Sequence, residues 1–149
     1  MKKLFTFLLV SIITISAFAQ KDPVSWTYTA VKKSATEYEL KMTAIVPSPW
    51  HIYSQNMAKG GPSPTKFTFK PNPLVTLSGA VAEKGKLKTV RDENFDMDVK
   101  YYADKVEFTQ KIKLKSAVKT TVNGTVNFMV CDDEKCLPPT SKTFSIKLG

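Results

Sequence analysis

Cysteine and histidine are scarce in this chain, which has two cysteines and one histidine in 149 residues. So few cysteines exclude a small scaffold that depends on many disulfides, and a chain of this length can bury a core without one. The sequence also lacks segments with a helical period, internal repeats and low-complexity tracts. These absences direct attention to strands and to the two cysteines.

The N-terminus has the pattern of a secretory signal peptide. Lys2 and Lys3 precede a nearly apolar stretch, 4–18, and Ala17-Phe18-Ala19 provides a small-x-small cleavage site. The apolar stretch is short for a membrane span, and no later stretch approaches that length. We therefore predict a signal peptide over residues 1–19, cleaved after Ala19, and a single domain over 20–149. The expected product is soluble, periplasmic or secreted, with no stable membrane insertion.

The net charge of +9 raises the question of nucleic-acid binding. An exported protein has little access to nucleic acid, so we expect no such partner. The lysines are also scattered. Lys111, Lys113 and Lys115 alternate with Ile112 and Leu114, which is typical of the solvent face of a strand.

Alternation of apolar and polar residues dominates the rest of the chain and predicts strands. Proline and glycine divide it into many short segments, with separate strands predicted at 65–70, 74–81 and 86–90. Apolar residues spaced two or four positions apart predict the core-facing side of one strand: Val122, Val126, Phe128 and Val130. About nine short strands with such turns favour an all-β fold, an antiparallel β-sandwich of the immunoglobulin type.

Two polar segments interrupt this pattern. Residues 91–98 are acidic, lack a clean period and predict a loop that carries one aromatic residue, Phe95. The second segment holds both cysteines, Cys131 and Cys136, with Asp132-Asp133-Glu134-Lys135 between them. By the strand's alternation, Cys131 leaves the core register as the strand ends.

The cysteine pair permits three interpretations. A short, exposed bridge at a hairpin end can exchange with an attacking thiolate, and the acidic residues beside it should keep the thiols un-ionised until a partner docks. The same bridge could be a fixed structural disulfide, although closing about six residues stabilises by only about 2 kcal/mol. Copper(I) could bind soft ligands drawn from both cysteines and five other residues: His51, Met42, Met57, Met97 and Met129.

Three stretches resemble the N-terminal periplasmic domain of the thiol:disulfide interchange protein DsbD family. The first is Cys131, a polar insert, Cys136 and then Leu137-Pro138-Pro139-Thr140. The second, Trp50-His51-Ile52-Tyr53, is similar to the aromatic strand beside the family's cysteines. The third, Asp92-Glu93-Asn94-Phe95, is similar to the loop that caps them. The insert is one residue shorter than in the best-known members.

The resemblance implies an immunoglobulin-like sandwich that passes electrons, without an organic cofactor or a metal, as a thiol:disulfide interchange component or protein-disulfide reductase. Cys136 would form mixed disulfides with partners and Cys131 would resolve them. Phe95 would cover the pair, Asp92 and Glu93 would tune it, and two further residues would line the site: Tyr53 and His51. The implied partners are thioredoxin-like periplasmic proteins, including disulfide isomerases and cytochrome c maturation factors. Since the sequence ends at Gly149, we expect a separate membrane protein as the electron donor.

Overall fold

A computed structural model describes residues 22–93 and 95–149 of the chain. The predicted signal peptide and its cleavage site lie outside these residues, as does Asn94. No helix in the described ranges is long and apolar enough to cross a bilayer. In chain order the strands are β1 Ser25–Lys32, β2 Glu37–Val46, β3 His51–Tyr53, β4 Lys66–Phe69, β5 Val75–Asp92, β6 Met97–Leu114, β7 Thr120–Phe128, β8 Val130–Cys131 and β9 Thr140–Leu148.

Two antiparallel sheets form the sandwich, as the alternation predicted. The 6-stranded sheet has the order β1-β2-β6-β3-β8, and β5 pairs with the other edge of β6. The 3-stranded sheet has the order β4-β7-β9. Strand β2 shows why the chain adopts this form, because its buried residues alternate with more exposed ones along its whole length. One face of β2 therefore belongs to the core and the other is more exposed.

The main core lies between the sheets. Trp26 of β1 illustrates the contact, because its ring centroid is 5.9 Å from that of Phe67 in β4 and 5.3 Å from that of Phe128 in β7. Leu40, Met42 and Ala44 of β2 are fully buried in this core. The opposite faces carry the charges, so Lys111 and Lys113 are exposed beside the buried Ile112, as predicted.

Strand β5 corrects the sequence interpretation. The two short strands predicted at 74–81 and 86–90 are parts of one 18-residue strand that pairs with β6 from Val75 to Asp92. Its register shifts between Ser78 and Ala82 and again between Gly85 and Leu87. Each irregularity changes which residues face the core, and the alternation is lost although the strand continues. The loop predicted over 91–98 is consequently shorter, since β5 ends at Asp92 and β6 begins at Met97.

The series from Val122 to Val130 is not one strand. Strand β7 ends at Phe128 in the 3-stranded sheet, whereas Val130 and Cys131 form β8 in the 6-stranded sheet. The chain thus crosses between the sheets at Met129. The alternation survives because Phe128 and Val130 both enter the core that the two sheets share.

Candidate functional site around the Cys131–Cys136 disulfide

The two cysteines lie at one end of the 6-stranded sheet, where the strand paired with one edge of β6 changes from β2 to β3. The C-terminal part of β6 pairs with β2, and its N-terminal part pairs with β3 through Ile52 and Tyr53. Strand β3 in turn pairs with the short β8, which places His51 directly opposite Cys131. The site is therefore assembled from segments more than 70 residues apart along the chain.

A tight turn joins the cysteines. The backbone N–H groups of Glu134 and Lys135 donate to the Asp132 carboxylate at 2.9 and 2.8 Å, and the Asp132 N–H donates to the Lys135 carbonyl at 2.9 Å. The two backbone donors lower the pKa of Asp132. The Lys135 ammonium lies 6.0 Å from the centroid of the Trp50 ring. These contacts hold Cys131 and Cys136 opposite each other as a bridged pair.

The disulfide is closed but unequally exposed. Its Cα atoms are 4.0 Å apart. Cys131 is only 1% exposed, whereas Cys136 lies at the surface. The expectation of an exposed bridge is therefore confirmed for Cys136 and wrong for Cys131. A thiolate approaching from solvent has access to the Cys136 sulfur, and attack on that sulfur releases Cys131.

Cys131 belongs to a small second core beneath the disulfide. It is buried there with Tyr53 and Val99, separately from the main core, which agrees with the expectation that Cys131 leaves the main core register. Four partly buried residues pack against this cluster: Met57, Met97, Tyr101 and Met129. The buried sulfur thus sits among aromatic rings and thioethers, in a setting of low polarity.

The hairpin of β5 and β6 extends to the cavity beside the disulfide, and its tip includes Glu93, Phe95 and Asp96. The backbone N–H of Phe95 donates to the Asp92 carboxylate at 3.4 Å, and Arg91 forms an ion pair with Asp96 across the turn. Asp96 has a φ of 51°, in the left-handed region that aspartate tolerates better than most residues. The side chain of Phe95 is half-buried.

One open cavity of about 490 Å³ brings together all seven residues predicted for the site: His51, Tyr53, Asp92, Glu93, Phe95, Cys131 and Cys136. The turn 132–135, expected to restrain thiol ionisation, and Met129, considered only for copper, line the same cavity. The sequence interpretation missed four other lining residues: Val90, Arg91, Val99 and Tyr101. Tyr101 lies opposite Tyr53 in the pairing of β6 with β3, and Val99 is two residues earlier in β6. A single sequence does not reveal which strands pair, so neither residue was identified.

Tyr53 and His51 are in contact with each other inside this cavity. Their rings meet edge to face at 5.4 Å, and the His51 Nε2 is 3.4 Å from the Tyr53 hydroxyl. Burial, with a further contribution from the Asp92 charge, raises the pKa of Tyr53 to about 12. Burial lowers the pKa of His51, against the opposing effect of Asp133 and Asp132. Both rings are therefore neutral at pH 7.

The cavity rim is acidic although the chain as a whole is basic. Five carboxylates line it, with Arg91 and Lys135 as the opposing charges: Asp92, Glu93, Asp132, Asp133 and Glu134. Negative charges disfavour a thiolate, so we expect the free thiol of Cys136 to remain protonated until a partner approaches.

A carboxylate network anchors the segment that follows Tyr53. Ser54 donates to Glu83, the Gln55 backbone N–H donates to it at 3.0 Å, and the Asn56 amide donates at 3.2 Å. The Thr65 hydroxyl donates to the Tyr53 carbonyl at 2.6 Å. This network fixes the end of β3 and, through it, the position of the Tyr53 ring.

The ligands considered for copper are not gathered as one set. Met42 is buried in the main core, whereas Met57, Met97 and Met129 pack around the second one. In the described part of the chain, no group of three or more histidine, cysteine, aspartate or glutamate side chains is placed to hold a metal ion.

Comparison with known families agrees with the geometry. The family described as thiol:disulfide interchange protein DsbD, N-terminal, matches residues 17–148. The chain belongs to this family. The match covers β1 to β9 and both cysteines, so the resemblance seen in three short stretches extends over the whole fold. No curated protein matches the chain at a significant level.

Solved structures confirm the fold. The N-terminal periplasmic domain of ScsB from Proteus mirabilis is 16% identical, with a TM-score of 0.54 over 84% of this chain and 44% of the ScsB chain. The chain thus spans less than half of that ScsB chain. The reduced DsbD N-terminal domain of Neisseria meningitidis is also 16% identical, with a TM-score of 0.51 over 75% of this chain and 84% of that one. The structural similarity supports a shared immunoglobulin-like sandwich. At 16% identity it supports no conclusion beyond the fold.

Proposed function

We propose that this chain is a periplasmic thiol–disulfide exchange domain that passes reducing equivalents through Cys131 and Cys136 to thioredoxin-like proteins. The observation that carries the proposal is the unequal exposure of the bridge, with Cys136 at the surface of a cavity and Cys131 buried beneath it. Membership of the DsbD N-terminal family supports the chemistry. A bridge kept only for stability needs no such opening.

The proposed cycle conserves atoms and electrons. The Cys136 thiolate attacks a partner disulfide, forms a mixed disulfide and releases one partner thiolate. Cys131 then loses its proton and attacks the Cys136 sulfur, which breaks the mixed disulfide and releases the second partner thiolate. The partner gains two electrons and two protons, and the Cys131–Cys136 bridge closes. A membrane electron donor would reopen the bridge.

The neighbouring residues have separate roles in this proposal. Phe95 at the hairpin tip covers the pair in the resting state. Asp92 and Glu93 keep the local potential negative and so restrain ionisation of the thiols. Tyr53 and His51 form the aromatic wall of the cavity. Together these residues would leave the reduced pair unreactive toward small oxidants and open to a docked partner.

The periplasmic location rests on two supports. The sequence predicts a cleaved signal peptide, and the ScsB domain that shares the fold is periplasmic. An oxidising compartment is also where an exchangeable disulfide has a use.

A trapping experiment tests the exchange chemistry. Reduced Cys131→Ser protein is incubated with an oxidised thioredoxin-fold protein, and the products are separated on non-reducing gels. The Cys131→Ser variant should accumulate a mixed disulfide through Cys136, whereas Cys136→Ser should form none and transfer no electrons. If both variants differ from the native protein only in thermal stability, the bridge is structural and the proposal is wrong.

A further inference from the structure

His51 and Cys131 face each other across the β3–β8 ladder. The register pairs their Cα atoms directly, and both residues line the same cavity. Directly opposed residues of an antiparallel pair project to the same face, with Cβ atoms about 4.5–5.5 Å apart. The lone histidine of the chain is therefore the cross-strand neighbour of the buried cysteine.

Cys131 needs a proton acceptor that water does not supply. Its thiol must ionise before it can attack a mixed disulfide on Cys136, yet the residue is only 1% exposed, and burial in apolar surroundings disfavours a thiolate. The phenol of Tyr53, with a pKa of about 12, holds its own proton. Asp132 is engaged by two backbone donors that lower its pKa, so its carboxylate is a weak base.

The surroundings of His51 leave it able to accept a proton. The ring packs between two tyrosines, with centroids 4.3 Å from Tyr101 and 5.4 Å from Tyr53. With the proton on Nε2, the imidazole donates to the Tyr53 hydroxyl at 3.4 Å and leaves Nδ1 as the acceptor.

The charges that face His51 come from two other elements. The turn between the cysteines contributes Asp132 and Asp133, and β5 contributes Asp92 and Lys88. Burial lowers the pKa of His51, Lys88 lowers it further, and the three aspartates oppose this effect. The imidazole is thus neutral at pH 7, and the carboxylates stabilise the imidazolium once it forms.

We propose that the His51 imidazole accepts the proton of the Cys131 thiol in the step that resolves the mixed disulfide on Cys136. The proposal rests on the exchange function proposed above. In that step the S–H bond of Cys131 breaks and an N–H bond forms on His51. The new thiolate then attacks the Cys136 sulfur, and the partner leaves as a thiolate that takes its proton from the imidazolium or from water.

The test uses stopped-flow oxidation of the reduced chain by an equimolar amount of 5,5′-dithiobis(2-nitrobenzoate). Attack by Cys136 releases the first chromophoric thiolate in a phase whose rate depends on probe concentration. Attack by Cys131 releases the second in a phase that does not. The second phase of the native protein should rise with pH through an inflection below 6.5, where His51 becomes neutral.

Variants of His51 and its neighbours separate proton transfer from a structural role. At pH 7 the second phase of His51→Phe should be at least about tenfold slower and lack the inflection. Added imidazole should partly restore His51→Ala, while sodium chloride at matched ionic strength should not. Asp133→Asn should move the inflection to lower pH and Lys88→Met to higher pH. Both charges are at the surface, so these two variants remain informative if the His51 variants are unstable.

The outcomes distinguish the two proposals. If the native protein releases only one chromophoric thiolate per chain, exchange through the pair fails and both proposals are wrong. If two are released but His51→Phe leaves the rate of the second release or its inflection unchanged, only the role of His51 is wrong. An inflection that does not move in Asp133→Asn and Lys88→Met also overturns that role.

Discussion

Cys131 and Cys136 share a disulfide but lie in different environments, one buried in the second core and the other exposed at the cavity mouth. In the proposed exchange, this difference determines the order of the two steps. A partner would react with the surface sulfur of Cys136, and the buried sulfur of Cys131 would then complete the exchange. Substitutions of the cysteines and of residues near them test the role proposed for each.

Phe95 should slow access to the reduced thiols. Replacing Phe95 with alanine removes the half-buried ring from the cavity, and a loss of about 1 kcal/mol of apolar packing would speed the reaction by roughly fivefold. The measurement is the rate at which iodoacetamide alkylates Cys136 in the reduced protein. Phe95→Tyr, which keeps the ring, is the matched control and should react at the native rate. Equal rates for Phe95→Ala and the native protein would show that Phe95 does not cover the pair.

Opening the bridge should leave the fold intact. The disulfide closes a short loop, and in the chain-entropy model it contributes about 2 kcal/mol. The main core lies between the sheets and does not include either cysteine. Urea unfolding of Cys131→Ser/Cys136→Ser should therefore give a free energy of unfolding lower by about 2 kcal/mol or less, with an unchanged m-value. Loss of the cooperative transition on reduction would mean that the disulfide holds the fold together.

The Glu83 network should make stability depend on acid pH. Burial alone would raise the pKa of Glu83, but hydrogen bonds from Ser54, the Gln55 backbone, Asn56 and Tyr102 lower it below its usual 4.5. Because the folded-state pKa is depressed, the stabilisation is present above about pH 4.5 and is lost as the pH falls through the folded-state value. Glu83→Gln should be less stable than the native protein by about 1 kcal/mol at pH 7.

Urea midpoints at pH 7 and at steps between pH 5 and pH 3 measure this effect. The difference between native protein and Glu83→Gln should shrink as the pH falls. Glu107→Gln is the control, since Glu107 forms a partly exposed ion pair with Lys41 at 3.2 Å and should contribute less than about 1 kcal/mol. A Glu83→Gln difference that stays constant down to pH 3 would contradict the assignment.

The sandwich was predictable from sequence where strands have one face in the core. In β2 and in the C-terminal half of β6, most polar residues face solvent and most apolar ones the interior, as Lys111 beside Ile112 illustrates. The exceptions are the exposed Ile45 and the buried Gln110. The prediction failed for β5, whose register shifts near Gly79 and Gly85 break the alternation without ending the strand. Pairing with β6 decides that continuity, and a single sequence does not reveal the partner strand.

The site was predictable only where a motif carries it. The cysteines, the acidic stretch before Phe95 and the aromatic β3 were recognisable, and the structure gathers them in one cavity. The unequal burial of the cysteines was not predictable, because it arises from the passage of the chain between sheets at Met129 and from the second core around Val99. The pairing of His51 with Cys131 likewise depends on strand order.

The reduction potential of the Cys131–Cys136 pair is the most direct test of the central claim. Thiol trapping across a series of redox buffers gives the potential of the native protein. An exchangeable bridge should have a potential above about −300 mV, so that electrons can pass between it and its partners. A value well below about −300 mV would identify a bridge that stays closed and would contradict the proposed electron transfer.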